Sequence, residues 1–349
     1  MVAAAVAGLG SAFPPRASQD RLWEEFFHRH HDGARGAGLI WRRSGVRWRH
    51  GAAIPPGDDV SGWGTEARMT RFREEALPLA RAAVGAGLRE ASIEPSRVGL
   101  LALVTCTGYT APGIDVLVAR DLGIGEDVHR LLVGHMGCHA AMPALATVAD
   151  ATVARGLVSV IACVELCSLH LQPPTTDLAQ VTANALFADA AAAAVVIPDG
   201  PGLAFVDVAS RTDPALGSLM TWDLTDKGFR MGLSPELPRA LGGHVEAVVG
   251  KLLAAHGLMP EDVTAWAVHP GGPRVLDVVA DRLRLSDGEL AESREILRDR
   301  GNCSSTTVLL VLERIARNRD LREGDHVVCL TFGPGLTLSA ALLRKTGSA

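Results

Sequence analysis

Short apolar runs bounded by turn residues alternate with longer stretches in which alanine and leucine recur at helical spacing, so strands and helices are expected in turn. Met1 to Gly10 reads as a first strand. Residues 11 to 65 form an arm that mixes Pro, Gly and Arg with four of the six tryptophans, and an amphipathic helix is expected there from Asp20 to His30. The spacing predicts a helix over Met69 to Ser92, then a strand over Val98 to Cys106 whose unbroken apolar character calls for burial on both faces. Further strands are expected around Val128 to Gly134, Val158 to Val164 and Phe187 to Ile197, with a helix from His139 to Arg155. A second run echoes the first: helix Arg239 to His256, strand Val263 to Val268, helices Val275 to Arg282 and Ser304 to Arg317, strands Asp325 to Phe332 and Leu336 to Leu343. The order of elements therefore predicts an α/β fold of two duplicated halves, residues 1–225 and 226–349. They would meet in the loop-rich stretch Ser210 to Pro238 and pack as one body.

Composition narrows the function classes. With 349 residues, 48% of them hydrophobic, the chain can bury a large core. A formal charge of -5 with acids and bases interspersed offers neither a basic stripe for nucleic acid nor a polybasic membrane anchor. The apolar start is too short for a spanning segment and lacks a basic lead-in. The six cysteines (106, 138, 163, 167, 303 and 329) lack the even, loop-rich spacing of a disulfide framework, so a cytoplasmic protein with reduced thiols is expected. Cys163 and Cys167 have no second pair to complete a zinc site and read as buried thiols. His28, His30 and His31 lie in a polar stretch near an Asp-Gly turn and read as solvated surface. No metal is expected.

Three segments carry chemistry: Gly137-Cys138-His139, His269-Pro270-Gly271-Gly272-Pro273 and Gly301-Asn302-Cys303-Ser304-Ser305. A cysteine can hold an acyl group as a thioester, while histidine and asparagine supply the hydrogen bonds that an enolate or oxyanion needs. The set points to carbon–carbon bond formation on a thioester. Cys138 follows a strand and opens a helix, where free N–H groups and the helix dipole favour a thiolate. His269 ends an apolar strand at a Pro-Gly loop, and Asn302 precedes Ser304 or Ser305 as N-cap of the next helix. Taken singly, Cys138 also reads as a small core residue and Asn302 as a turn residue.

The chain resembles bacterial type III polyketide synthases, relatives of chalcone synthase in the thiolase superfamily. The resemblance is carried in order by Met136-Gly-Cys-His-Ala, Val164-Glu-Leu-Cys-Ser-Leu-His-Leu-Gln, Leu186-Phe-Ala-Asp-Ala-Ala, His269-Pro-Gly-Gly-Pro, Gly301-Asn-Cys-Ser-Ser and Phe332-Gly-Pro-Gly-Leu-Thr. It implies a five-layered αβαβα thiolase-like fold, a homodimer, and coenzyme A thioesters as substrates with no cofactor. An acyl-CoA starter would load on Cys138 and be extended by decarboxylative condensation with malonyl-CoA. His269 and Asn302 would stabilise the enolate, and the product would cyclise to a pyrone or resorcinol-type ring.

The same resemblance places Phe187 as a gatekeeper and Met231 as the second, with Phe229 two residues away on the same strand face as a substitute. His170 and Trp222 would face the substrate, Gly333, Pro334 and Gly335 would shape the cyclisation cavity, and Arg43, Arg47 and Arg274 would bind coenzyme A phosphates. Two departures concern the product: Thr331 replaces a glycine of the family's Gly-Phe-Gly-Pro-Gly loop, and Trp222 stands at a position that is small in the plant enzymes. An aliphatic starter is expected, with activity rising with alkyl length over part of the range. The competing readings are a ketoacyl-ACP synthase III-like enzyme, which typically follows its histidine with Gln-Ala-Asn, and a non-catalytic paralogue acting as a complex partner.

Overall fold

The computed structural model describes residues 3–347. The first strand, β1, runs Ala4–Ala12, so that Met1 and Val2 of the expected strand lie outside the described residues. In the arm, Arg16–Ser18 (β2) pairs with Trp48–His50 (β3). Between them the expected helix appears as Gln19–Leu22 (α1), a π-helical turn Trp23–Phe27 and His28–His30 (α2), followed by Ala37–Arg42 (α3).

Beyond the arm, helix Thr65–Glu90 (α4) leads into strand Val98–Thr105 (β4), helix Ile114–Leu122 (α5), strand His129–Gly134 (β5) and, after a tight 3-10 turn, helix Ala141–Arg155 (α6). Strand Val158–Leu166 (β6), helix Leu178–Leu186 (α7) and strand Asp189–Pro198 (β7) complete this run. The second run holds strands Gly202–Gly217 (β8), Met220–Thr225 (β9) and Gly228–Leu233 (β10), then helix Leu237–Ala254 (α8), strand Val263–Val268 (β11) and helices Pro273–Leu283 (α9), Ala291–Arg300 (α10) and Thr307–Asn318 (α11). It closes with His326–Gly333 (β12) and Gly335–Thr346 (β13).

Strand order shows the duplication. In one half β1, β7, β6 and β4 lie side by side, with β7 antiparallel to both neighbours and β4 parallel to β6; β8, β13, β12 and β11 repeat that order and those directions in the other. Beside β4 the first half adds β5. Among the described residues, the two sheets pair only where Ala5 and Val6 of β1 meet Ala204 and Leu203 of β8, which joins them into one nine-stranded sheet.

Packing follows from faces that alternate with period two. Ala265 and Ala267 of β11 point into a central apolar layer with α6 and α11, whereas Trp266 and Val268 point outward against α8 and α9. On the first half, Leu101 and Leu103 meet α4 and α5, while Ala102 and Val104 face α6. The result is helices, sheet, helices, sheet, helices: the five-layered thiolase-like fold. Among the described residues no helix is long and apolar enough to cross a membrane.

Two expectations are corrected here. The stretch Ser210 to Pro238 is not a loop: it carries the end of β8 and the hairpin β9–β10. These strands are half exposed, so their polar positions hide the pattern that marks buried strands. His30 and His31 are buried rather than solvated, and their rings bond the Gln172 and Thr175 carbonyls at 2.9 and 3.0 Å. Burial lowers both pKa values, which keeps the rings neutral in that interior.

Candidate active site

At the C-terminal ends of β4, β6, β11 and β12 the two halves meet. Cys138, Phe187, His269, Asn302 and Phe332 line a single cavity of about 30 Å³ there, closed by apolar side chains that include Met220, Leu233, Leu237, Leu241 and Val275. Each polar side chain arrives by a different local device. Cys138 sits in the 3-10 turn Gly137–His139 that opens α6, and Gly137 holds φ +71°. A Cβ on Gly137 would lie 2.5 Å from Pro334 Cδ, and one on Gly333 would lie 2.0 Å from His139 Nδ1. The Phe332-Gly333-Pro334-Gly335 loop therefore packs directly behind the cysteine turn, which only glycine permits at both points.

His269 leaves β11 with its N–H bonded to the Leu330 carbonyl at 2.8 Å. Asn302 is stitched to the Phe187 segment through Asn302 N–H to Leu186 O and Ala188 N–H to Asn302 O, both 2.9 Å. Its Oδ1 accepts from the Ser304 N–H at 2.9 Å. One acceptor of the amide is thereby occupied and its rotamer fixed. Neither Ser304 nor Ser305 caps the following helix by its side chain, contrary to expectation. Ser305 instead donates to Glu165 Oε1 at 2.5 Å.

Burial pushes the Cys138 thiol up to about 12, against weaker lowering by the Ser304 hydroxyl, and so opposes the thiolate that the helix start favours. Desolvation outweighs the helix start because the sulfur is nearly sealed from water. The same burial, with His139 adding to it, pushes His269 down to about 3, so its imidazole is neutral at pH 7. Its Nδ1 is buried without a hydrogen-bond partner among the described residues.

Other residues named from the sequence lie around this cavity. Phe187 ends α7 and separates it from a second cavity of about 60 Å³ lined by residues such as Leu22, Phe27, Ile54, Cys167 and Leu171. His170 is a strut: Nε2 donates to Thr107 O at 2.6 Å and Nδ1 accepts from the Phe229 N–H at 3.1 Å. Trp222 stacks on Phe229 at 5.6 Å and donates Nε1–H to Cys106 O at 2.7 Å. Met231 is buried opposite Trp222 in the hairpin, whose Met220 and Leu233, not Met231, line the cavity. Thr331 is buried in β12, its hydroxyl on Ser339 O at 3.3 Å. Arg43, Arg47 and Arg274 are exposed. Gly45, between the first two, packs on Pro273, next to the third.

The sequence reading passed over the groups behind Cys138. Ser304 Oγ lies 3.7 Å from Cys138 Sγ and 3.4 Å from Cys106 Sγ, and Cys106 Sγ lies 3.3 Å from Glu165 Oε1. A lone acid in the apolar run Val158–Leu166 was the available signal for Glu165.

Comparison with known proteins identifies the family. Residues 62–201 match the family model for chalcone and stilbene synthases, N-terminal domain, and residues 200–347 the C-terminal domain. A 3,5-dihydroxyphenylacetyl-CoA synthase of Streptomyces toyocaensis is 33% identical over 85% of this chain and 79% of its own. A 1,3,6,8-tetrahydroxynaphthalene synthase of Streptomyces peucetius subsp. caesius is 34% identical over 97% of this chain and 92% of its own. The crystal structure of 1,3,6,8-tetrahydroxynaphthalene synthase from Streptomyces coelicolor A3(2) superposes with a TM-score of 0.92 at 26% identity, covering 99% of this chain and 100% of that one. The chain belongs to the chalcone and stilbene synthase family, the type III polyketide synthases, a family that uses acyl-CoA and malonyl-CoA, and is an enzyme of decarboxylative condensation.

Proposed function

We propose that Cys138 carries the growing acyl chain, that His269 and Asn302 drive the decarboxylation, and that the starter is aliphatic. The observation that carries this reading is the shared cavity of Cys138, His269 and Asn302, apolar on its remaining walls. The neutral imidazole of His269 takes the thiol proton as Cys138 attacks the starter thioester, and gives it to the coenzyme A thiolate as that leaves, so that the imidazole is neutral again. Malonyl-CoA then loses carbon dioxide by cleavage of the bond to its carboxylate, and the electron pair moves onto the thioester oxygen. Hydrogen bonds from Asn302 and His269 hold that enolate. Its carbon attacks the Cys138 thioester, the Cys138 thiolate leaves, and the lengthened chain stands on the coenzyme A of the extender, from which the thiolate takes it up again for the next cycle. Repeated cycles and ring closure give a pyrone or resorcinol-type product. Phe187 separates the cavity from the chamber beyond it, and Arg43, Arg47 and Arg274 meet coenzyme A phosphates at the surface.

A starter panel tests the substrate class. With about 30 Å³ free, the cavity has room for roughly one water, so a longer chain must displace side chains such as Met220 or Phe187. Malonyl-dependent product is expected from aliphatic starters and to rise with chain length over part of the acetyl-to-palmitoyl range. Preference for benzoyl or coumaroyl esters would overturn the aliphatic assignment.

The protein is proposed to act as a homodimer in the cytoplasm. β5 is an edge strand among the described residues and leaves Leu132 57% exposed. A second copy pairing there would cover that edge. Sedimentation should give a mass of two chains, and Leu132→Lys should shift it toward one. A wild-type monomer at micromolar concentration would refute the dimer.

A further inference from the structure

Arg49, in β3 of the arm, is buried yet forms no ion pair among the described residues. Its donors run to neutral oxygens instead. Nη1 donates to Asn184 O at 2.5 Å and to Phe187 O at 3.0 Å, while Nε, at 2.9 Å, and Nη2 close on Gln19 Oε1 as a fork. Burial pushes the guanidinium down to about 9, with Asp189 opposing, so it remains a cation at pH 7. A buried charge without an anion is costly unless the surrounding acceptors are held in place for it.

Those acceptors are the end of α7. A helix leaves its last four carbonyls without partners inside it and gathers partial negative charge there, which a cation offsets. In α7 all four find donors: Ala183 O from the Phe187 N–H at 2.9 Å, Asn184 O from Arg49, Ala185 O from Gln19 Nε2 at 2.9 Å and Leu186 O from the Asn302 N–H at 2.9 Å. The arm therefore supplies two of them, and Arg49 takes the carbonyl of Phe187 as well. The opposite side of the same turn is paired to Asn302, since the Ala188 N–H donates to Asn302 O at 2.9 Å. A Cβ built on Gly301 would lie 3.0 Å from Leu186 O and 3.7 Å from the Arg49 Cβ, so Arg49, the helix end and the Asn302 turn pack against one another.

We infer that Arg49 is a positioning residue for the condensation: with Gln19 it clamps the end of α7 and so fixes the place at which Asn302, bonded to that turn, stands in the cavity. Without the fork, Asn184 O and Phe187 O lose a buried donor, and the helix end must shift to find another. Asn302 shifts with it, because its backbone is paired on both sides to Leu186 and Ala188. Cys138 and His269 hang from the turn before α6 and from the end of β11, neither of which bonds Arg49, and they keep their places. The arm thus acts on one member of the site and spares the other two. This rests on Asn302 as a donor to the enolate.

Arg49→Lys keeps the charge and loses the fork, since one ammonium cannot reach two carbonyls and the Gln19 oxygen together. Gln19→Leu leaves Arg49 in place but removes the bond to Ala185 O and the oxygen that orients the guanidinium, so it serves if the lysine variant fails to fold. Each should slow carbon dioxide release from malonyl-CoA, measured without a starter, about ten-fold or more, and slow acyl loading of Cys138, followed by intact-protein mass spectrometry, far less. A double-mutant cycle separates positioning from general loosening. In an Asn302→Ala background, either substitution should cost decarboxylation almost nothing further, because the group being positioned is already gone. Unchanged decarboxylation, equal losses of loading and decarboxylation, or the same fold-loss in both backgrounds would overturn the proposal. Near-normal decarboxylation in Asn302→Ala alone refutes the reading of Asn302 on which it rests, whereas a depressed Asn302→Ala with a full further loss from Arg49→Lys refutes only the role of Arg49.

Discussion

Replacing Cys138 by alanine is expected to abolish covalent acyl loading and product formation together. Of the six cysteines, Cys138 alone lines the cavity that also holds His269 and Asn302. Cys163, Cys303 and Cys329 are buried thiols that burial pushes up, and none of them lines that cavity. Cys106 and Cys167 are partly exposed, yet burial followed by nearby carboxylates, Glu165 for Cys106 and Asp189 for Cys167, raises both thiols well above their ordinary value. Burial raises the Cys138 thiol as well, so what sets it apart is the cavity it shares with His269 and Asn302.

The variant should remain folded, since losing one buried sulfur typically costs about 1 kcal/mol. Intact-protein mass spectrometry after incubation with an acyl-CoA starter decides the matter. The wild type should gain one acyl mass and Cys138→Ala none, with circular dichroism unchanged between them. An acyl adduct of normal stoichiometry on the alanine variant would mean that another residue is the nucleophile. Malonyl-CoA decarboxylation should survive better than loading in this variant, because the enolate is held by other side chains.

The sequence made the buried strands legible and the half-exposed ones obscure. β4, β6, β7, β11 and β12 are covered on both faces, so they appear as unbroken apolar runs whose ends were placed within two residues. β8 carries Arg211, Thr212 and Asp213 toward its end, where the strand is exposed, and its pattern there is that of a loop. α10, Ala291–Arg300, was missed because seven of its ten residues are polar or charged and no apolar stripe stands out. His30 and His31 were misplaced for a different reason: their carbonyl partners lie 142 and 144 residues away, beyond any local pattern.

The candidate site divides along the same line. Glycine-flanked Cys138, strand-ending His269 and turn-forming Asn302 were visible because each needs a particular local backbone. What each one's surroundings do to it was not visible. The helix start argued for a thiolate, but burial wins, because desolvation acts on the full charge of the sulfur whereas the dipole offers at most about 2 kcal/mol. The shared hydroxyl of Ser304 exists only once three separate segments meet, and no spacing along the chain encodes it.

His269→Ala and Asn302→Ala should each slow malonyl-CoA decarboxylation by on the order of 10² or more, the scale of losing one oxyanion donor. The two should respond differently to conservative change. Asn302 has its Oδ1 committed to the Ser304 N–H, so its Nδ2 is the group left to donate. Asn302→Asp would replace that donor with an oxygen, placing negative charge beside a developing enolate, and should do at least as much damage as alanine. His269→Gln keeps a neutral N–H donor on a side chain of similar reach and should recover part of the rate. The pH dependence carries a sign. Because burial, reinforced by His139, holds His269 near pKa 3, the imidazole is neutral from about pH 5 to 8, and decarboxylation should show no inflection near the ordinary histidine value of about 6.5. A histidine acting as a cation would instead lose activity as pH rises through that value. Carbon dioxide release from malonyl-CoA, measured without a starter across this range, separates the two: a flat profile with both alanine variants depressed fits a neutral donor pair, while near-normal release in both variants would remove His269 and Asn302 from the chemistry.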